Sequence, residues 1–214
     1  MPRKKRPLNR DGGVLRDASL IVIASEDTYA VKQYFAQFRM RRVQVIVAHT
    51  EDCRSSPEHV MERLQTFKNE YATEDNDQFW LCIDTDHWSG DSHISNLIRV
   101  LSECNKAGFK VAISNPCFEL WILLHFADHR DGQCLCKDIT DRLENVLGSY
   151  NKQCCAKIQL THEMVLQAMV RARALNGVED GLPTNPSTDV YKILDEIINS
   201  GNIEFVRATS QEVK

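Results

Sequence analysis

Four short apolar runs, alternating with stretches of helical periodicity, constrain this chain more than any other feature. Leu20-Ile21-Val22-Ile23-Ala24, Val43-Gln44-Val45-Ile46-Val47, Phe79-Trp80-Leu81-Cys82-Ile83 and Phe109-Lys110-Val111-Ala112-Ile113 are rich in β-branched or aromatic residues. Runs of that length and bounded by polar residues fit buried strands better than helices. Between them, residues 29–40 carry Val31, Tyr34, Phe35 and Phe38 at helical spacing. Ser56-Pro57 opens a helix with Val60, Met61, Leu64 and Phe67 on one face, since proline suits the first helical position. Ile94, Leu97, Ile98 and Leu101 mark a third helix, ending near Ala107-Gly108. This alternation predicts an α/β fold: a mostly parallel sheet with right-handed crossovers, flanked by helices.

Beyond Pro116 the pattern changes to helices, over residues 117–126, 139–147, 160–175 and 189–198, with turn chemistry at 177–186. The expected organisation is a flexible basic arm over 1–18, an α/β core over 19–126, and a helical C-terminal region over 127–214 packed on the same domain.

Composition excludes some classes of protein. No apolar stretch approaches the roughly 18 residues of a membrane span, so no membrane association is expected. The basic cluster Arg3, Lys4, Lys5 and Arg6 has no apolar stretch after it, so a secretory signal is not expected either. Cysteines at 53, 82, 104, 117, 134, 136, 154 and 155 are scattered through apolar patterns, and cytoplasmic, reduced thiols are expected. Cys134-x-Cys136 and Cys154-Cys155 lack zinc-finger spacing. The net charge of −4 is compatible with a carboxylate cluster whose positive charge comes from metal ions. Basic material is local: residues 3–6, then Arg39, Arg41 and Arg42, then Lys152, Lys157, Arg171 and Arg173. It supports nucleic-acid binding only if folding gathers it beside the carboxylates.

Ligands of an open parallel sheet bind at the carboxyl ends of its strands. Glu26 lies just past the first strand, and Asp84 and Asp86 just past the third, in Ile83-Asp84-Thr85-Asp86-His87. On one rim, three such carboxylates repel and call for a hard divalent cation, Mg²⁺ or Mn²⁺. Against this, an acid after a strand is often only a helix cap, and a lone D-x-D is common.

The order Leu20 to Glu26, then Tyr34-Phe35, then Ile83-Asp84-Thr85-Asp86 resembles the Toprim pattern. More narrowly, Ser114-Asn115-Pro116-Cys117-Phe118-Glu119-Leu120-Trp121 with Leu124-His125-Phe126 is similar to the signature of the RloB family. Gly148-Ser149-Tyr150-Asn151-Lys152 and Asn185-Pro186-Ser187-Thr188 agree with it, so the resemblance runs from about residue 14 to about 200. It implies a bacterial Toprim-like protein, encoded near restriction and phage-defence genes and working beside an ATPase partner. The implied activity is a Mg²⁺-dependent nuclease on RNA (possibly tRNA) or DNA, with Glu26, Asp84 and Asp86 at the metal. The chain departs from the family at Asp27, where glycine is usual, and at Ala30 and Val31, where a Thr-Glu pair is usual. These departures leave open a non-catalytic subunit that binds nucleic acid or a partner, and a primase-like activity is a third reading. A homodimer is also open.

Under this reading Asp84 and Asp86 are the principal ligands, and Glu26 binds metal or acts as general base. Glu119 reads equally as an outer ligand or as an acid favouring a helix N-terminus. Asn115 reads as a substrate contact or, the commoner role, a helix cap. Tyr150 and Lys152 are placed for phosphate contact, with solvated surface as the alternative. His87 adjoins the D-x-D and reads as a phosphate or water contact, with a surface histidine as the alternative, and His125 reads as a core or interface histidine beside Trp121.

Overall fold

The computed structural model describes residues 4–9, 13–48, 55–86, 91–129, 132, 134–175, 178–179, 182–200 and 204–205. In chain order the elements are β1 (Ser19–Ser25), α1 (Ala30–Phe35), β2 (Phe38–Arg39), β3 (Val43–Val47), α2 (Pro57–Glu70), β4 (Gln78–Asp84), α3 (Asp91–Ala107) and β5 (Lys110–Asn115). Then follow α4 (Glu119–Leu123), α5 (Cys136–Leu147), a 3₁₀ turn (Lys152–Lys157) and α6 (His162–Ala174). The series ends with β6 (Val178–Glu179), β7 (Leu182–Pro183), β8 (Ser187–Thr188), α7 (Val190–Asn199) and β9 (Glu204–Phe205).

The main sheet has five strands in the order β3-β1-β4-β5-β8. The first four are parallel, and β8 closes the edge antiparallel to β5. The α/β fold with a mostly parallel sheet flanked by helices is therefore as expected. Side chains of a strand alternate between faces, and both faces are apolar here. Leu20, Val22, Ala24, Phe79, Leu81 and Ile83 point into a core shared with Val60 and Leu64 of α2 and Leu97 and Val100 of α3. Ile21, Ile23, Trp80, Cys82 and Ala112 point into the other, filled by α1, α4, α5, α6 and α7. With both faces covered, strand polarity has nowhere to go but the ends.

Several expectations change. Helical spacing over 29–40 breaks at Phe35; Phe38–Arg39 instead pairs antiparallel with Glu204–Phe205, a partner that local periodicity does not register. The helix expected over 117–126 shortens to Glu119–Leu123, continued by single turns through Ala127. The C-terminal region is not purely helical, since β8 completes the main sheet. The described part of the expected flexible arm is packed. Arg6 pairs bidentately with Asp77 (2.7 and 2.8 Å), the Ala72 amide donates to the Lys5 carbonyl (3.0 Å), and Leu8 packs against the second core. Residues 1–3 and 10–12 lie outside the described residues.

Candidate metal and nucleic-acid site

At the carboxyl ends of β1, β4 and β5 a cavity of about 490 Å³ opens. Glu26, Asp27, Asp84, Asp86 and Glu119 line it, with Tyr150, Asn151 and Lys152. The parallel register explains the gathering: Ser25 lies beside Cys82, and Asp84 beside Ser114, so the ends of these strands are level.

The D-x-D turn is pinned by the segment that follows β5. The Thr85 amide donates to Ser114 O and Pro116 O (3.0 Å each), and the Asp86 amide donates to Pro116 O (3.0 Å). Thr85 Oγ1 donates to Asn115 Oδ1 (2.7 Å), and Asn115 Nδ2 donates to Asn185 O (3.0 Å). Asn115 is thus the last residue of β5 and a clamp on the turn; the residue that caps α4 is Phe118. This gives the SNPCFELW segment and the Asn185 loop a physical task, which is to hold both aspartates at the cavity.

Electrostatics confirm that negative charge is crowded. Burial, and then the Asp86 carboxylate, push the Glu26 carboxyl up to about 9, while the Arg63 guanidinium on α2 pulls the other way. Burial likewise lifts Asp84 well above the carboxylate range, reinforced by Glu119, Glu26, Asp86 and Asp27. Glu119, buried on α4, is raised by burial and by Asp27. Tyr150 Oη donates to Glu119 Oε1 (3.3 Å) and orients it. Glu26 Oε1 is buried with no hydrogen-bond partner among the described residues. Buried carboxylates without compensation are costly, and an all-oxygen donor set suits a hard divalent cation. The residues therefore fit Mg²⁺ or Mn²⁺.

The departures from the family pattern acquire structural roles. Asp27 Oδ1 accepts from the amides of Tyr29 (2.7 Å) and Ala30, opening α1, and Oδ2 lies 3.5 Å from Lys152 Nζ. One oxygen of this acid is thereby committed to the backbone. Ala30 and Val31 are buried in the first core.

On the facing wall, α5 ends at Gly148 with φ of 78°, a left-handed conformation that glycine adopts freely, and the chain turns into Tyr150–Lys152. Gln33 of α1 fastens the following 3₁₀ turn through Gln153 O (2.7 Å) and the Ala156 amide (2.8 Å). Of the basic residues singled out in the sequence, Lys152 lines the cavity. Arg6, Arg171 and Arg173 are engaged in ion pairs elsewhere, with Asp77, Asp128 and Asp195. His125 is a core residue as expected, stacked edge-on against Trp121, with burial lowering it to about 4. His87 lies outside the described residues.

Sequence reasoning missed Arg63 and a cysteine pair. Cys117 and Cys136 are joined as a disulfide in the cavity wall, so the expectation of uniformly reduced thiols does not hold. They lie 19 positions apart in the chain, and the packing of α4 on α5 brings them together. Cys136 Sγ lies 3.7 Å from Glu119 Oε2. This is a contact and not a hydrogen bond, because a disulfide sulfur carries no hydrogen. One ligand atom each of Cys117, Glu119 and Cys136 falls within 4.8 Å of the others, a potential metal-binding triad among the described residues. Glu26, Asp84 and Asp86 line the same cavity.

No helix among the described residues is long and apolar enough to cross a membrane. No curated protein and no solved structure matches the chain. A family model described as RloB-like protein matches residues 21–197, from within β1 to within α7. By that match over most of its length, the chain belongs to the RloB-like family.

Proposed function

We propose that this protein is a Mg²⁺-dependent nuclease acting on RNA, tRNA being one candidate, or on DNA. We further propose that it serves as the effector of a bacterial anti-phage system, in the cytoplasm and under an ATPase partner. The observation that carries the reading is the cavity at the strand ends, lined by five carboxylates and Lys152, where Glu26 Oε1 has no hydrogen-bond partner among the described residues. The genomic setting and the partner rest on the family resemblance alone.

Asp84 and Asp86 would hold the cation, their turn fixed by Asn115 and Pro116. When bound, Mg²⁺ polarises a phosphoryl oxygen and lowers the pKa of a coordinated water. Glu26, relieved of neighbouring repulsion, accepts a proton from the attacking water or joins the ligand set. Glu119 is steadied by Tyr150, and the exposed Lys152 ammonium meets a flanking phosphate. The test is cleavage of labelled RNA and DNA with and without Mg²⁺. Asp84→Asn is expected to reduce the rate at least a hundredfold, and Glu26→Ala comparably. Equal cleavage by all three proteins would overturn the reading.

One observation favours a non-catalytic subunit instead. Asp27 spends one carboxylate oxygen on the α1 amides and points the other at Lys152, so it is a poor replacement for a missing ligand. Stable nucleic-acid binding without any metal-dependent cleavage would favour that reading.

A further inference from the structure

Besides its oxygen donors, the cavity is lined by two cysteines, Cys117 and Cys136. We propose that Cys117, Cys136 and Glu119 form a second cation site, open to a thiophilic divalent ion of the Zn²⁺ class when the disulfide is reduced and closed to it otherwise.

The three donors come from two elements that pack on each other. Cys117 lies one residue before Phe118, the N-cap of α4, Glu119 opens that helix, and Cys136 is the first residue of α5. In a tetrahedral zinc site, bonds of about 2.3 Å to sulfur and about 2.0 Å to oxygen set sulfur and oxygen about 3.5 Å apart. Cys136 Sγ and Glu119 Oε2 stand 3.7 Å apart. Tyr150 occupies Glu119 Oε1, which leaves Oε2 directed at the sulfurs. Thr140 Oγ1 donates to Cys136 O (2.9 Å) and holds the first turn of α5. Two thiolates, one carboxylate and a water from the cavity complete four positions, a donor set that discriminates against Mg²⁺.

The gating step balances as a thiol–disulfide exchange. An external dithiol attacks the half-buried Cys136 sulfur from the cavity. It delivers two electrons and two protons to Cys117 and Cys136 and closes its own disulfide. The cation then displaces the two thiol protons. With the Cys117–Cys136 bond in place neither sulfur is a thiolate, so the site is closed.

The experiment uses the full chain and Co²⁺ as a spectroscopic probe, after reduction by a dithiol or oxidation by a disulfide. The reduced protein is expected to bind one Co²⁺ with an intense thiolate-to-cobalt charge-transfer band, displaced by one equivalent of Zn²⁺. The oxidised protein is expected to lack that band. Reduced Cys136→Ser should lose most of the intensity and at least a hundredfold in Zn²⁺ affinity. Glu119→Gln should keep the band with weaker affinity. Asp84→Asn should keep the band unchanged, so this inference and the nuclease reading fail by different measurements. A reduced wild type without the band would overturn the proposal. So would an undiminished band in the oxidised protein or in Cys136→Ser, which would place the ion on other cysteines such as Cys134 or Cys154.

Discussion

Glu26 concentrates the energetics of the site into one side chain. Burial raises its carboxyl from 4.5 to about 9, so the metal-free folded protein holds a proton that the unfolded chain releases. That contribution to stability is fully present below 4.5 and is lost as pH rises towards 9. The melting temperature of metal-free protein should therefore fall between about pH 5 and 9, and Glu26→Gln should flatten the fall. A pH-independent melting temperature in the wild type would contradict this. Asp84 shares the same sign, so added Mg²⁺ should stabilise more at the alkaline end, where the carboxylates bind it without first losing protons. Arg63 escaped notice because a lone arginine on an amphipathic helix looks like solvated surface until α2 is seen to face the Glu26 rim.

The elements most legible in the sequence are those whose neighbours in the chain decide them. β1 and β4 announce themselves as unbroken apolar runs because both sheet faces are covered, β5 as a run interrupted by Lys110, and α2 and α3 by periodicity. β2 and β8 are two residues long and exist through pairing with Glu204–Phe205 and Ser114–Asn115, which no local pattern encodes. The carboxylates could be placed on one rim because strand ends follow from strand positions. The Cys117–Cys136 contact could not, since it depends on how α4 meets α5. Asn115 falls between these cases: its position was readable, but its task was not. With Thr85 on one side and Asn185 on the other, Asn115→Ala removes a part-buried tie between the D-x-D turn and the β7–β8 loop. It should cost about 1–3 kcal/mol in chemical denaturation and weaken Mn²⁺ binding roughly tenfold or more. Loss of stability with Mn²⁺ affinity intact would show that the clamp does not position the aspartates.

Across the molecule, the two ends of the sheet are treated differently. At the N-terminal edge an acid is neutralised internally: the Asp77 side chain is buried, accepts from the Leu20 and Glu74 amides, and takes both arms of Arg6. Arg6→Ala should therefore destabilise by about 3 kcal/mol, because it strands a buried carboxylate, while leaving metal-dependent cleavage per folded molecule unchanged. A drop in cleavage without a drop in stability would contradict that separation. At the C-terminal edge the buried Glu26 Oε1 has no hydrogen-bond partner among the described residues. That contrast is the reason for assigning the cation to one end only. The most direct measurement is a titration of the reduced full-length protein with Mn²⁺ followed by electron paramagnetic resonance, for wild type and Asp84→Asn. The account predicts Mn²⁺ bound to wild type, released by excess Mg²⁺, and at least tenfold weaker in Asp84→Asn. No Mn²⁺ bound to wild type, or identical binding by the two proteins, would contradict it.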